Sequence, residues 1–114
     1  MQGNSKYDIL ACLKDNEQSI LEINEFLPRE RNFIAFQKDL KTRKAVERNI
    51  EIIGEAIDRI LKANPDFQIT DLRKIVDTRN RIIHGYDSVS EDVIWLIVNR
   101  YLPILEEEVK KLLK

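Results

Sequence analysis

The sequence holds one cysteine, one histidine, three prolines and three glycines among its 114 residues. A lone Cys12 can make neither an internal disulfide nor, from one chain, a thiolate metal cluster. That usage suits a reducing compartment, and the position of Cys12 three residues after Ile9 gives it a packing role on a helix. No stretch has the positive-then-apolar build of a signal peptide, and no apolar run reaches membrane-spanning length. The expectation is a soluble, cytoplasmic protein with no membrane association. Charge of one sign is also missing. Nineteen would-be cations face twenty carboxylates (Lys+Arg 19, Asp+Glu 20), for a formal net charge of -1. This excludes broad attraction to nucleic acid or lipid but leaves room for a local basic cluster. There is no internal repeat, glycine-rich phosphate loop or low-complexity tail.

What is present is 43% hydrophobic residues, enough for one ordinary domain spanning residues 1–114. A chain this short exposes much surface relative to its core, so an oligomeric interface would be a natural supplement. The apolar residues recur at helical intervals. Ile9, Leu13, Ile20, Ile23 and Leu27 predict a first helix over about residues 6–27, interrupted at Asn16 and ended by Pro28, with a polar link of Arg29, Glu30, Arg31 and Asn32. Phe36, Leu40, Val46, Ile50, Ile53, Ile57 and Ile60 predict a second, over residues 36–63, with Asn64-Pro65-Asp66 as its exit. Gly54 lies inside it. Because glycine there costs about 1 kcal/mol relative to alanine, close approach by a neighbouring helix is a reason for its presence.

Thr70 or Asp71 can cap a third, shorter helix carrying Leu72, Ile75, Val76, Ile82 and Ile83, with Gly85 as its stop. Ser88 and Glu91 have capping-box spacing, with Ser90 a competing cap, ahead of a last helix bearing Val93, Ile97, Leu105, Val109 and Leu112. Pro103 falls inside that helix and should bend it or divide it. The fold class is therefore all-α, an antiparallel four-helix bundle in which each stripe is covered by another helix.

The chemistry concentrates in Arg79-Asn80-Arg81-Ile82-Ile83-His84-Gly85-Tyr86. His84 is the one side chain of the type that trades protons near neutral pH. Asn80 and His84, four apart, stack one turn from each other, whereas Arg79 and His84 differ by about 140° around an ideal helix. That separation favours a site formed between two copies of the chain. Arginine offers a fixed fork of donors to a phosphate, histidine transfers a proton, and asparagine positions either. In RNA the neighbouring 2'-hydroxyl can attack, so cleavage requires neither metal nor protein nucleophile. A plainer assignment makes Arg73, Lys74, Arg79 and Arg81 a solvated face paired with acids of the second and fourth helices. Tyr86 sits just past the stop, Trp95 reads as a packing anchor, and Glu51 with Glu55 have a spacing too common on exposed helices to mark a metal site.

The order Arg79, four residues, His84, one residue, Tyr86 resembles the signature of HepT, a toxin family of the HEPN (higher eukaryote and prokaryote nucleotide-binding) superfamily. The resemblance extends to Tyr7-Asp8-Ile9-Leu10, Ala45-Val46-Glu47-Arg48, Glu51-Ile52-Ile53-Gly54-Glu55-Ala56, Val93-Ile94-Trp95, Leu102-Pro103 and Leu105. It implies a homodimeric HEPN-type bundle and a metal-independent ribonuclease with no cofactor. Arg79 and His84 would be its catalytic pair and Asn80 their companion, in a cleft built by both chains. It also implies a nucleotidyltransferase antitoxin as partner, which in some pairs transfers AMP to the motif tyrosine, here Tyr86. Arg81, Arg48 and Lys44 are the expected RNA contacts, with Lys38, Lys41 and Arg43 as further contributors. The alternative is a non-catalytic nucleotide- or RNA-binding partner of a nucleotidyltransferase. One departure is Phe67-Gln68-Ile69-Thr70-Asp71-Leu72, where relatives often carry Ile/Val-Pro-Trp before the third helix.

Overall fold

A computed structural model of the chain describes residues 5–84 and 91–114. Gly85, Tyr86, Ser88 and Ser90, singled out above as stop, modification site and caps, lie outside the described residues. All regular structure among the described residues is helical. Helix α1 spans Ser5–Phe26 and runs beside α3, Leu40–Ala63, which in turn packs along α4, Leu72–Ile83. The short α2, Phe33–Lys38, lies against α3. The chain finishes in α5, Glu91–Leu96, a π-helical segment Ile97–Tyr101, and α6, Leu102–Leu112, which crosses α1. This is the helical bundle expected for a HEPN domain.

The stripes do what their spacing predicts. Leu13, Ile20 and Ile23 from α1, with Leu27 just past its end, meet Val46, Ile50, Ile53, Ile57 and Ile60 from α3 in the core, closed by Ile75, Val76, Ile94, Ile97, Leu105 and Val109. Each such side chain, once buried, contributes about 1.5–3 kcal/mol. Cys12 belongs to this core, and burial pushes its thiol up from the ordinary range. Asn16, the interruption in the α1 stripe, is buried rather than turned out. Its Nδ2 donates to the Cys12 carbonyl oxygen at 3.0 Å, folding the amide back onto its own helix. Trp95 is the anchor expected, its ring 5.7 Å from Phe33 and 5.0 Å from Phe36.

The structure corrects the sequence reading at one boundary. The helix predicted over residues 36–63 is two helices, divided at Asp39. Asp39 ends α2, its N–H donating to the Phe36 carbonyl at 3.1 Å, and begins α3, its Oδ1 accepting from the Thr42 N–H at 3.1 Å. Its Oδ2 also accepts from the Thr42 hydroxyl at 2.6 Å. An aspartate with a donor three residues on competes successfully against continuing the helix. Asn32 caps α2 in the same manner, accepting from the Ala35 N–H at 3.0 Å, while Arg31 latches the link to Pro28 and Asn24.

The expected bend at Pro103 takes the form of the π segment. Proline has no N–H for the carbonyl four residues back, and its ring crowds that carbonyl. Just upstream the ladder loosens, and the Leu102 N–H reaches the Ile97 carbonyl, five residues back, with helical dihedrals maintained across both joints.

The hydrogen bonds from Thr42 hold the Asp39 carboxyl below its ordinary range. A depressed carboxylate stabilises the fold above its unfolded pKa, and that stability is lost as pH falls through the folded value. Asp39→Ala is therefore expected to lower the thermal midpoint at neutral pH. The gap to the parent should close on acidification through the acid end of the carboxylate range. Circular dichroism melts across pH check this, and a gap independent of pH would count against the capping account.

Candidate active site

Arg79 lies on the stripe of α4 that carries Leu72, Ile75, Val76 and Ile82, so its first carbons point where core residues point. An ordinary residue opposite would leave no room. The residue opposite is Gly54, and a Cβ added there would collide with the Cβ of Arg79 and stand 2.7 Å from its Cγ. The close approach suspected from Gly54 is real, and the neighbour it admits is this arginine. The aliphatic stem lies across α3 while the guanidinium stays half-buried, its Nη1 donating to Asn80 Oδ1 at 2.6 Å. Its Nε is buried without a hydrogen-bond partner.

Asn80 connects the motif. Its side-chain oxygen receives Arg79, and its backbone oxygen receives the His84 N–H at 3.1 Å. His84 caps α4, with φ -86 and ψ -2, and is exposed. Arg79, Asn80 and His84 thus follow one another along the end of α4, with Arg79 and Asn80 in direct side-chain contact and His84 joined to Asn80 by a backbone hydrogen bond.

The solvated-face reading holds only in part: Arg73, Lys74 and Arg81 are exposed, but the expected pairing with acids is not made. None of Arg73, Lys74, Arg79 or Arg81 forms an ion pair with a carboxylate among the described residues. Arg79 is turned inward, and its partner is a neutral amide oxygen, so its positive charge is held in place without being cancelled. Lys74 donates to the Tyr101 hydroxyl at 2.8 Å, and that bond holds its ammonium above the ordinary range. Two features escaped the sequence reading because they depend on distant segments. One is the Lys74–Tyr101 pair. The other is Glu108 of α6, which accepts from the Thr70 N–H at 3.0 Å and the Thr70 hydroxyl at 2.7 Å. That contact secures the start of α4, where Asp71 is the N-cap residue but adopts φ 55 and makes no side-chain cap bond.

The expected RNA contacts divide. Arg81 is exposed and lines a cleft with Lys74, Asp77 and Asn80. Arg48 and Lys44 are exposed on α3, but within their own helix they face Glu51 at 2.7 Å and Glu47 at 3.9 Å. Lys38 and Lys41 are exposed. Arg43 is a structural residue, half-buried and bonded to Glu91 at 2.6 Å, tying the start of α3 to the start of α5. No helix among the described residues is long and apolar enough to cross a membrane.

Residues 16–112 match the family described as Ribonuclease HepT-like. The chain is 30% identical over 113 residues to a Methanocaldococcus jannaschii protein named as a candidate RNase, covering 96% of this chain and 90% of that one. A second such protein of that organism is 33% identical over 110 residues, covering 93% and 97% respectively. A probable ribonuclease HepT of Thermococcus cleftensis is 35% identical over 106 residues, covering 90% of this chain and 93% of its own. No solved structure matches.

Gly54→Ala tests the packing that positions the arginine. Helix propensity alone would stabilise the variant by about 1 kcal/mol, whereas overpacking against a Cβ fixed to the α4 backbone costs about 1–3 kcal/mol. A net loss of up to about 2 kcal/mol is expected in urea unfolding. A midpoint that rises would sink the close-approach account.

Proposed function

The chain belongs to the ribonuclease HepT-like family, and from that premise we propose that it is a metal-independent endoribonuclease, the toxin of a toxin–antitoxin pair, acting as a homodimer in the cytoplasm. The observation that carries this is the uncancelled Arg79 guanidinium, fixed by Asn80 one turn before an exposed histidine. Catalysis by charge stabilisation needs such a group, because a cation already neutralised by a carboxylate has little left for a developing phosphorane.

In this mechanism the 2'-hydroxyl of the substrate attacks the adjacent phosphorus. The O2'–P bond forms and the P–O5' bond breaks, leaving a 2',3'-cyclic phosphate and a 5'-hydroxyl. Arg79 binds the non-bridging oxygens and His84 takes the proton from the 2'-hydroxyl. Entering and leaving oxygens lie on opposite sides of phosphorus, so one imidazole is poorly placed to serve both. A dimer cleft supplies a second His84, which protonates the departing 5'-oxygen. Asn80 holds Arg79 in register, and Arg81, with Lys44 and Arg48, draws in the flanking phosphates.

The partner in this reading is a nucleotidyltransferase antitoxin that transfers AMP to Tyr86, two residues beyond His84 in sequence. The added phosphate would bring negative charge to the arginine that the substrate needs.

The test is cleavage of a mixed RNA panel in excess chelator, after intact mass has established that no nucleotide is attached. The parent should cleave. Arg79→Ala and His84→Ala, folded as shown by circular dichroism, should each lose about 10²–10⁴-fold in rate. Asn80→Ala should lose less. Cleavage that persists in both variants would falsify this site. An unmodified, dimeric parent that binds RNA without cutting it would leave the non-catalytic binding module.

A further inference from the structure

The face of α4 turned away from Gly54 borders a cleft of about 540 Å³, closed on its other side by α5 and the π segment. Its floor is apolar, made by Val93, Leu96 and Ile97, and Leu96 is 45% exposed. Its rim is polar, with Lys74, Asp77, Asn80 and Arg81 arriving from successive turns of α4. The size falls within the roughly 300–1,000 Å³ of small-molecule sites, and an apolar floor with a few convergent polar groups is their usual build.

Each rim group has a defined capacity. Asp77 is exposed and forms no ion pair among the described residues, so both of its oxygens can accept. Asn80 already uses Oδ1 to receive Arg79, which leaves its Nδ2 hydrogens to donate. Three positions apart on one helix, the carboxylate and the amide are neighbours. Lys74, anchored on the Tyr101 hydroxyl, and Arg81 add positive charge at the rim.

A flat, apolar-faced ligand whose edge carries donors beside an acceptor, flanked by phosphates, fits this set. Guanine has adjacent N1–H and N2–H donors for the two carboxylate oxygens, and O6 next to them for an amide N–H. Cytosine and adenine offer the carboxylate a single amino group. In uracil the one ring N–H lies between two carbonyls that repel it. We propose that this cleft is a nucleobase subsite that seats a guanine beside the scissile phosphate, read by Asp77 and Asn80 over the Val93–Leu96–Ile97 floor. The choice of an RNA base as ligand rests on the ribonuclease reading. Because Asn80 touches both Arg79 and this cleft, an occupied subsite bears directly on the arginine's position.

The experiment is titration of the unmodified parent with GMP, IMP, AMP, CMP and UMP, followed by NMR, with cleavage sites mapped on RNA in parallel. GMP should bind most tightly, and IMP, which lacks the N2 amino group, about tenfold more weakly. Asp77→Ala should abolish the preference for GMP, and Leu96→Trp, which fills the floor, should weaken all five. Cuts should fall next to guanines. Equal binding of the nucleotides, a preference for AMP, or GMP binding untouched by both substitutions overturns the subsite. So does failure of GMP to bind, including failure because a second copy covers the cleft. Selective, Asp77-dependent GMP binding without RNA cleavage would retain the subsite and discard the ribonuclease.

Discussion

An arginine on the buried stripe of a helix ordinarily meets an apolar surface that has no use for its charge. Here Arg79 meets Gly54, and the missing side chain gives its stem a channel across α3. The stem is spent on packing and the guanidinium is delivered to Asn80 at the end of that path. The arrangement fixes the distance between α3 and α4, the height of Arg79 on α4 and, through Asn80, the turn that His84 caps. A tight helix crossing and a poised cation are one contact seen from two sides.

The same contact divides α4 into two faces with different tasks. Inward, Ile75, Val76 and the stem of Arg79 serve the core. Outward, Lys74, Asp77 and Arg81 border the cleft toward α5. Asn80 stands at the boundary and belongs to both. The start of α4 is secured from elsewhere in the chain, Thr70 by Glu108 and Lys74 by Tyr101, so that end is located by tertiary contacts more than by its own N-cap.

Periodicity alone made most of this fold legible, because burial at three- and four-residue intervals leaves few alternatives to a helical bundle. The division at Asp39 was hidden because Phe36 and Leu40 keep helical spacing straight through it, and an apolar pattern does not weigh a capping carboxylate. Asn16 looked like a break in the stripe because a sequence does not show that its Nδ2 can donate back to the Cys12 carbonyl and let the side chain be buried, although its Oδ1 stays without a partner. At the site, residue types and spacing single out Arg79, Asn80 and His84 as candidates, and the close approach expected at Gly54 is present. That Gly54 and Arg79 are opposite one another could not be read, since 25 positions separate them and only the α3–α4 packing joins them. The Lys74–Tyr101 and Thr70–Glu108 pairs were invisible for the same reason. Arg43 shows the reverse case, a basic residue with the composition of an RNA contact and the duty of a strut.

The π segment before Pro103 carries one more residue in its turn than an α-helix would hold. One residue corresponds to about 100° of rotation, so every side chain downstream is turned by that angle relative to α5. Tyr101 lies in the segment itself and Glu108 nearly two turns beyond it, yet both reach α4, at Lys74 and at Thr70. The segment therefore acts as a phase shifter between two stretches of one rod. It lets a helix whose first half is indexed to Trp95 and its aromatic neighbours present a differently indexed second half to α4. Restoring α-helical winding by removing one residue there would leave the composition of the rod almost unchanged and put its two halves out of step with the rest of the bundle.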